Sequence, residues 1–322
     1  MTSLVVQASE AGLRLDGLLA HRRVVASVSA ARRALASGIV RVNSRVAKKG
    51  MHLQPGDTVE LCDGPVGSLV LQPTEDSTLS LLYVDDDLVA VDKPGGIASH
   101  PLRPGDGPSV ASAIVSRFPE CAQASPDPRE GGLGHRLDVA TSGVLLAARS
   151  REAWHRLREA LATPFCEKTY VAETRGCFPV AEEFVKEFVV PGPRASSFVV
   201  TVPIGRQGRR GRKVKLASGR QPLPARSEID RIEEREHGTL VEARLAQGRA
   251  HQVRAHLAYL GIPVMGDTIY GQIEEDVEEG ADTSGDGSGL RLHAWTVSFV
   301  HPTTGKPMRI EAPLPPWARR RS

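Results

Sequence analysis

Strand-length runs rich in apolar residues set the first limit on this fold. They occupy residues 81–84, 88–91, 144–148, 169–172, 197–202, 240–245 and 295–300, with turn-forming and charged residues between them. Only Glu152 to Leu161 and Gln252 to Leu260 read as clear helices in that span. A parallel pair needs a crossover of a dozen or more residues, usually a helix. Strands that lack a regular helical partner therefore predict an α+β fold with a mixed, mainly antiparallel sheet.

A smaller pattern precedes this one. Leu15, Leu18 and Leu19 recur at helical spacing. A second helix is expected through Ala30, Ala31, Ala34 and Leu35 to Gly38, with Ser27 or Ser29 as its cap. Ile39 to Val42 alternates as a strand, Asn43-Ser44 turns, and Gly56-Asp57 opens a return strand over Thr58 to Leu61. Residues 64–78 are rich in glycine, proline and acidic or small polar residues and read as a linker. The predicted organisation is a small α/β unit over 1–63, a linker over 64–78 and a large domain over 79–322, and 322 residues are ample for two cores.

Charge is unevenly spread beneath a formal net value of +3. Residues 1–63 hold nine Lys/Arg against five Asp/Glu, a net +4, and residues 201–226 hold eight Lys/Arg and no acid. The second could track a phosphate backbone, although such a run more often arises as a solvated loop, and Arg32, Arg33, Lys48 and Lys49 in the first read by themselves as surface charges. Residues 274–289 are acidic and glycine-rich and read as a mobile surface insertion. Cys62, Cys121, Cys166 and Cys177 form no Cys-x-x-Cys pair, which disfavours a disulfide framework or zinc site and fits a reducing cytoplasm. The N-terminus lacks a signal-peptide pattern, and no apolar stretch of about 18 residues predicts a membrane span.

Three segments carry candidate chemistry. Gly134-His135-Arg136-Leu137-Asp138-Val139-Ala140-Thr141-Ser142-Gly143 places one carboxylate on a glycine-flanked loop just before a buried strand. Asp138 is a candidate nucleophile there, or equally a turn cap paired with Arg136. In Glu167 to Ala172, Lys168 and Tyr170 share one strand face, where Tyr170 either stacks on a base or packs in the sheet. In Gly248 to Leu260, Val253, Leu257 and Leu260 form a core stripe, leaving His251 and Arg254 to project together into a cleft or from a basic surface. His251 and His256 are five residues apart, about 140° around a helix, so they do not form a metal pair.

Taken together, these segments resemble the RluA-type family of pseudouridine synthases. The likeness rests on Lys93-Pro94-Gly95-Gly96 with His100-Pro101, on residues 135–143, on Lys168-Thr169-Tyr170-Val171-Ala172, on Gly248 to His256 and on Gly266-Asp267-Thr268-Ile269-Tyr270-Gly271, all in the family's order. Leu292-His293-Ala294 and Ala312 to Pro315 match the C-terminal pattern. Residues 1–63 resemble an S4 RNA-binding domain through Ser27-Val28-Ser29, Gly38 to Ser44 and Gly56-Asp57. Val28 replaces the customary Arg, Ser44 the customary Gly, and Ala250 the customary Thr or Ser.

The resemblance implies the pseudouridine synthase fold and an isomerase that flips a uridine from RNA into a pocket. It makes Asp138 the catalytic carboxylate, Arg254 its ion-pair partner, and Tyr170 the residue that stacks on uracil and helps remove the carbon 5 proton. His135, Arg136, Lys168, Arg249 and His251 join the substrate- and RNA-binding set, and Arg32, Arg33, Lys48 and Lys49 of the S4-like unit are its expected phosphate contacts. No metal or organic cofactor is implied, because the isomerisation is redox-neutral. The expected partner is RNA, ribosomal large-subunit RNA ahead of transfer RNA, met by a cytoplasmic monomer without a membrane. A noncatalytic RNA-binding or ribosome-assembly protein on the same fold is the competing reading.

Overall fold

The computed structural model describes residues 2–25, 27–36, 38–43, 45–48, 50–61, 71, 79–101, 108–179, 186–194, 196–205, 214–217, 222–271 and 289–320. Most of the expected linker, six of the eight basic residues of 201–226, the acidic stretch up to Gly289, Ser44, Lys49 and the side chain of Arg33 lie outside them. The chain divides into two compact units, one of residues 1–72 with 101–107, the other of residues 73–100 with 108–322.

The first unit comprises β1 (Thr2–Val5), α1 (Leu15–His21), α2 (Val28–Ala36), β2 (Val40–Val42), β3 (Arg45–Val46) and β4 (Thr58–Leu61), with an antiparallel sheet ordered β1-β4-β2-β3. The helical spacing of Leu15, Leu18 and Leu19 buries all three against Ala31, Ala34, Leu35, Val40, Val42 and Val59. Ser27 caps α2, its Oγ accepting the Ala30 N–H at 3.1 Å. Asp16, buried on α1, accepts hydrogen bonds from Arg14 at 3.0 and 3.2 Å and from Arg32 at 2.9 Å. These two guanidinium groups hold its pKa down to about 2 and tie α1 to α2.

The second unit contains β5 (Ser80–Val84), β6 (Leu88–Lys93), α3 (Val110–Arg117), β7 (Ser142–Ala148), α4 (Arg151–Ala160), β8 (Glu167–Arg175), β9 (Val189–Pro191), β10 (Ser197–Val200), β11 (Ile204–Gly205), β12 (Lys215–Leu216), β13 (Ser227–Arg235), β14 (Gly238–Leu245), α5 (Gln252–Tyr259), β15 (Leu292–Val300) and β16 (Pro307–Glu311). Its main sheet runs β5-β6-β7-β15-β8-β14-β13-β10-β9, with β16 added to β15. Every pairing in it is antiparallel except β7 with β15. The mixed, mainly antiparallel α+β expectation is met. Among the described residues no helix is long and apolar enough to cross a membrane.

The centre of this sheet is apolar on both faces. Along β7, Val144, Leu146 and Ala148 pack on one side with Leu88, Ala90 and Leu157, while Leu145 and Ala147 are fully buried on the other. Burying each such leucine contributes about 1.5–3 kcal/mol, enough to make β7 a rigid support for the loop before it. Ser150 caps α4 through the Ala153 N–H at 3.1 Å. That helix braces the loop directly: Trp154 Nε1 donates to the Leu133 carbonyl at 2.9 Å and Arg158 Nη1 to the Gly134 carbonyl at 3.2 Å.

Candidate active site

Asp138 stands on the loop entering β7, and a facing strap pins both its flanks. The Lys93 ammonium at the end of β6 is fully buried and donates to the carbonyls of Pro94 at 2.8 Å, Val139 at 2.9 Å and Thr141 at 2.7 Å. Gly96 N–H donates to the Val139 carbonyl at 2.9 Å. Ser99 Oγ donates to the Leu137 carbonyl at 2.8 Å and accepts the Leu137 N–H at 3.0 Å. Burial lowers the Lys93 pKa to about 8, opposed by the charges of Asp138 and Asp92. Gly143, just beyond, has φ of 111°, and a Cβ there would fall 2.2 Å from the Ala294 carbonyl oxygen. Only glycine permits this approach of β7 to β15.

Arg254 comes to Asp138 from α5. Its Nη1 donates to Asp138 Oδ2 at 2.9 Å, while Nε and Nη2 form a two-pronged pair with Asp267, each bond 2.7 Å long. Asp267 is fully buried at its side chain and also accepts the N–H groups of Ile269 and Tyr270 at 2.9 and 3.0 Å. Burial alone would raise the Asp267 pKa, but Arg254 and these amides outweigh it and leave it lowered. The Arg254 pKa is raised by Asp267 and Asp138 against its own burial. The guanidinium is therefore a permanently charged, immobilised donor. Among the described residues Asp138 Oδ1 accepts no hydrogen bond, and the side chain is 25% exposed.

His251 and Arg254 do converge, though not as two residues on one helical face. The helix begins at Gln252, and His251 is its N-cap in left-handed backbone at φ of 57°. That conformation costs a non-glycine residue about 1–2 kcal/mol. It sets His251 Nε2 at 3.7 Å from Asp138 Oδ2 and Nδ1 at 3.1 Å from the Tyr270 hydroxyl. The expected core stripe of Val253, Leu257 and Leu260 is buried beneath. His256 is spent on structure, between Ser227 Oγ at 2.9 Å and the Val202 carbonyl at 3.1 Å.

Tyr170 lies on β8 in a row of small residues. Across neighbouring strands it faces Ala243 on β14 and Ala294 on β15, and Ala294 in turn faces Gly143 on β7. Its directly opposed partners on both adjacent strands are alanines, and the half-buried ring packs against the apolar core of this part of the sheet. Burial and the nearby Asp138 charge raise its pKa.

The remaining candidates divide. His135 Nε2 accepts the Leu146 N–H at 3.2 Å, and burial, with Lys168 and Arg158 nearby, lowers its pKa to about 3, so it is a neutral brace of the loop. Arg136 is exposed with Nη1 at 3.3 Å from His100 Nε2. Half-buried Lys168 has a pKa lowered by burial. Arg249 is turned to the Pro224 carbonyl at 3.3 Å and Gln247 at 3.0 Å. In the first unit Arg32 is engaged by Asp16 and Lys48 is exposed. The sequence reading passed over Lys93, Ser99 and Asp267 as site residues. The Lys-Pro-x-Gly segment signalled Lys93 and the Gly-Asp-x-x-Tyr-Gly segment Asp267, while Ser99 lies in neither.

With this geometry in view, the comparisons are decisive. Residues 87–259 match the family model for RNA pseudouridylate synthases, and residues 13–59 match the S4 domain. The ribosomal large subunit pseudouridine synthase D of Xanthomonas campestris pv. campestris is 32% identical over 97% of this chain and 88% of its own length. The chain belongs to the RNA pseudouridylate synthase family. The ribosomal large subunit pseudouridine synthase C of Yersinia pestis is likewise 32% identical, over 97% of this chain and 91% of that one. The human RNA pseudouridylate synthase domain containing 1 shares the fold, with a TM-score of 0.55 at 23% identity over 77% of this chain and 89% of that one. This member of the pseudouridylate synthase family is thus an isomerase acting on RNA, and it carries an S4 domain at its N-terminal end.

Proposed function

We propose that this chain converts uridine to pseudouridine in large-subunit ribosomal RNA, with Asp138 as the catalytic carboxylate. The observation that carries the reading is the asymmetry of Asp138: Oδ2 is held by Arg254, while Oδ1 accepts no hydrogen bond among the described residues. A uridine flipped from its stack brings its ribose to that oxygen. Asp138 either attacks the anomeric carbon or takes a ribose proton, and both routes break the bond from N1 to the sugar. Uracil then turns over Tyr170 and bonds to the sugar through carbon 5. The carbon 5 proton leaves, N1 gains one, and no electrons are exchanged.

Tyr170 is set to act late in this sequence. While Asp138 is ionised, its charge opposes loss of the phenolic proton. On the route through an ester of Asp138 with the sugar that charge is gone, and burial is then the main opposition to ionising Tyr170. The relatives named above as ribosomal large subunit synthases, together with the S4 domain, support the ribosomal target for a cytoplasmic, monomeric enzyme. Removing residues 1–63 is expected to weaken RNA binding and flatten its salt dependence more than it slows chemistry.

The deciding experiment maps pseudouridine in ribosomal and transfer RNA from cells with and without the gene. Loss of a ribosomal position, restored by the wild-type chain and not by Asp138→Asn, is the expected outcome. Loss confined to transfer RNA redirects the target, and no loss in either removes the assignment.

A further inference from the structure

Among the described residues Asp138 Oδ2 has two ion-pair neighbours, and the function proposed above uses only Arg254. The second is His251 Nε2 at 3.7 Å, beyond a formed hydrogen bond but within reach of one small rotation. The backbone that delivers this ring is left-handed at a non-glycine residue, a conformation kept only where the surroundings hold it. Those surroundings are specific. The Tyr270 hydroxyl lies 3.1 Å from His251 Nδ1, with the two rings edge to face at 5.8 Å, and the same hydroxyl accepts the Val214 N–H at 2.8 Å.

The groups facing the imidazole determine its proton. Burial lowers the His251 pKa and Arg254 adds to this, while Asp138 and Asp267 oppose it, so the ring is neutral at pH 7. A carboxylate opposite Nε2 favours the tautomer with its proton there, since a lone pair facing Oδ2 is repelled. Nδ1 is then an acceptor, and the Tyr270 O–H is its donor. Each link from the Val214 N–H through Tyr270 and His251 to Asp138 is thereby one donor meeting one acceptor.

We infer that His251 is a positioning residue for Asp138: its Nε2–H, held by Tyr270, joins Arg254 on Oδ2 and leaves Oδ1 as the reacting atom. The inference rests on the function proposed above and gives His251 a role other than contact with RNA. Tyr270 acts through His251. The N–H of Val214, which follows residues 206–213 of the basic run, is the outer end of the chain.

The test uses the full chain and a ribosomal RNA transcript carrying 5-tritiated uridine, in single-turnover tritium release. His251→Ala is expected to slow release about 30-fold at an unchanged half-saturating RNA concentration. His251→Gln, which restores an N–H near the position of Nε2, recovers most of the rate. Tyr270→Phe slows release about fivefold, and adding it to His251→Ala changes nothing further. A wild-type rate for His251→Ala overturns the inference, as does a defect confined to the half-saturating concentration, or a glutamine variant as slow as alanine. A second measurement is independent of activity: two-bond proton–nitrogen NMR of the wild-type chain, with His251 assigned by its loss in His251→Gln. The Nε2–H tautomer supports the inference and the Nδ1–H tautomer sinks it. If wild-type protein releases no tritium, the proposed function falls while the tautomer still decides the role of His251.

Discussion

Asp16 and Asp138 are both carboxylates gripped by arginine, yet the two grips differ in kind. Asp16 has a side chain 4% exposed, and both its oxygens are taken, Oδ1 by Arg14 and Oδ2 by Arg14 and Arg32. Asp138 is held at Oδ2 alone, by an arginine that a second acid, Asp267, has already locked. The first arrangement saturates the acid and serves the fold. The second orients an acid and leaves one oxygen without a protein donor among the described residues, an arrangement that favours reaction over stability. Pairing with arginine therefore says little about function; how many lone pairs remain unmet says more.

Four substitutions test this contrast, beginning with the largest effect. Asp138→Asn keeps the shape and removes the oxyanion, so tritium release should fall at least about 10⁴-fold while RNA affinity holds within about twofold. Turnover near wild type would mean that the open oxygen does no chemistry. Tyr170→Phe retains the ring and loses the hydroxyl, and release should fall about 10²-fold at unchanged affinity. A nearly harmless phenylalanine would make Tyr170 a packing residue. Asp267→Asn should cost about 50-fold in rate, because Arg254 loses its charged anchor while Asp138 stays intact. Equal loss from Asp267→Asn and Asp138→Asn would erase the distinction between anchor and reactant.

Asp16→Asn should leave the rate unchanged and destabilise the first unit by about 2 kcal/mol, as measured by denaturant unfolding of that unit. Its sign with pH is fixed. The folded pKa is lowered to about 2 from 3.8, so the contribution is complete at neutral pH and lost as pH falls from about 4 towards 2. The asparagine variant should lack that part of the acid dependence, and an unchanged acid transition would contradict it.

The sequence disclosed the parts of the molecule whose logic is local. Val144 to Ala148 reads as a buried strand because every residue is apolar, and the Leu15, Leu18, Leu19 stripe reads as a helix because its spacing is helical. It did not disclose β13, whose Ser-Glu-Ile-Asp-Arg-Ile-Glu-Glu-Arg carries no apolar run. That strand pairs on both sides, buries Ile229 in the core, and has Glu228 and Asp230 met by Arg244 across on β14, contacts invisible without the register. At the site, Asp138 stood out as the lone acid of its loop. Asp267 did not, since its value lies in meeting Arg254 from outside the helix. His251 was legible as a neighbour of Arg254 but through the wrong geometry, because helical spacing cannot foresee a left-handed cap.

Lys93 also gives the loop a clock. Burial holds its pKa at about 8 while the loop is closed, and opening returns the amine to water, where its uncharged form attacks activated esters. Yet none of the residue is exposed, and three carbonyls occupy it. An acylating reagent reaches this nitrogen only when the strap of residues 93–99 peels away from residues 137–141. With reagent concentrated enough to outpace reclosing, the labelling rate of one peptide in a mass spectrum times the opening of the loop that carries Asp138. Lengthening of that time on adding RNA would register how firmly a seated substrate keeps it shut.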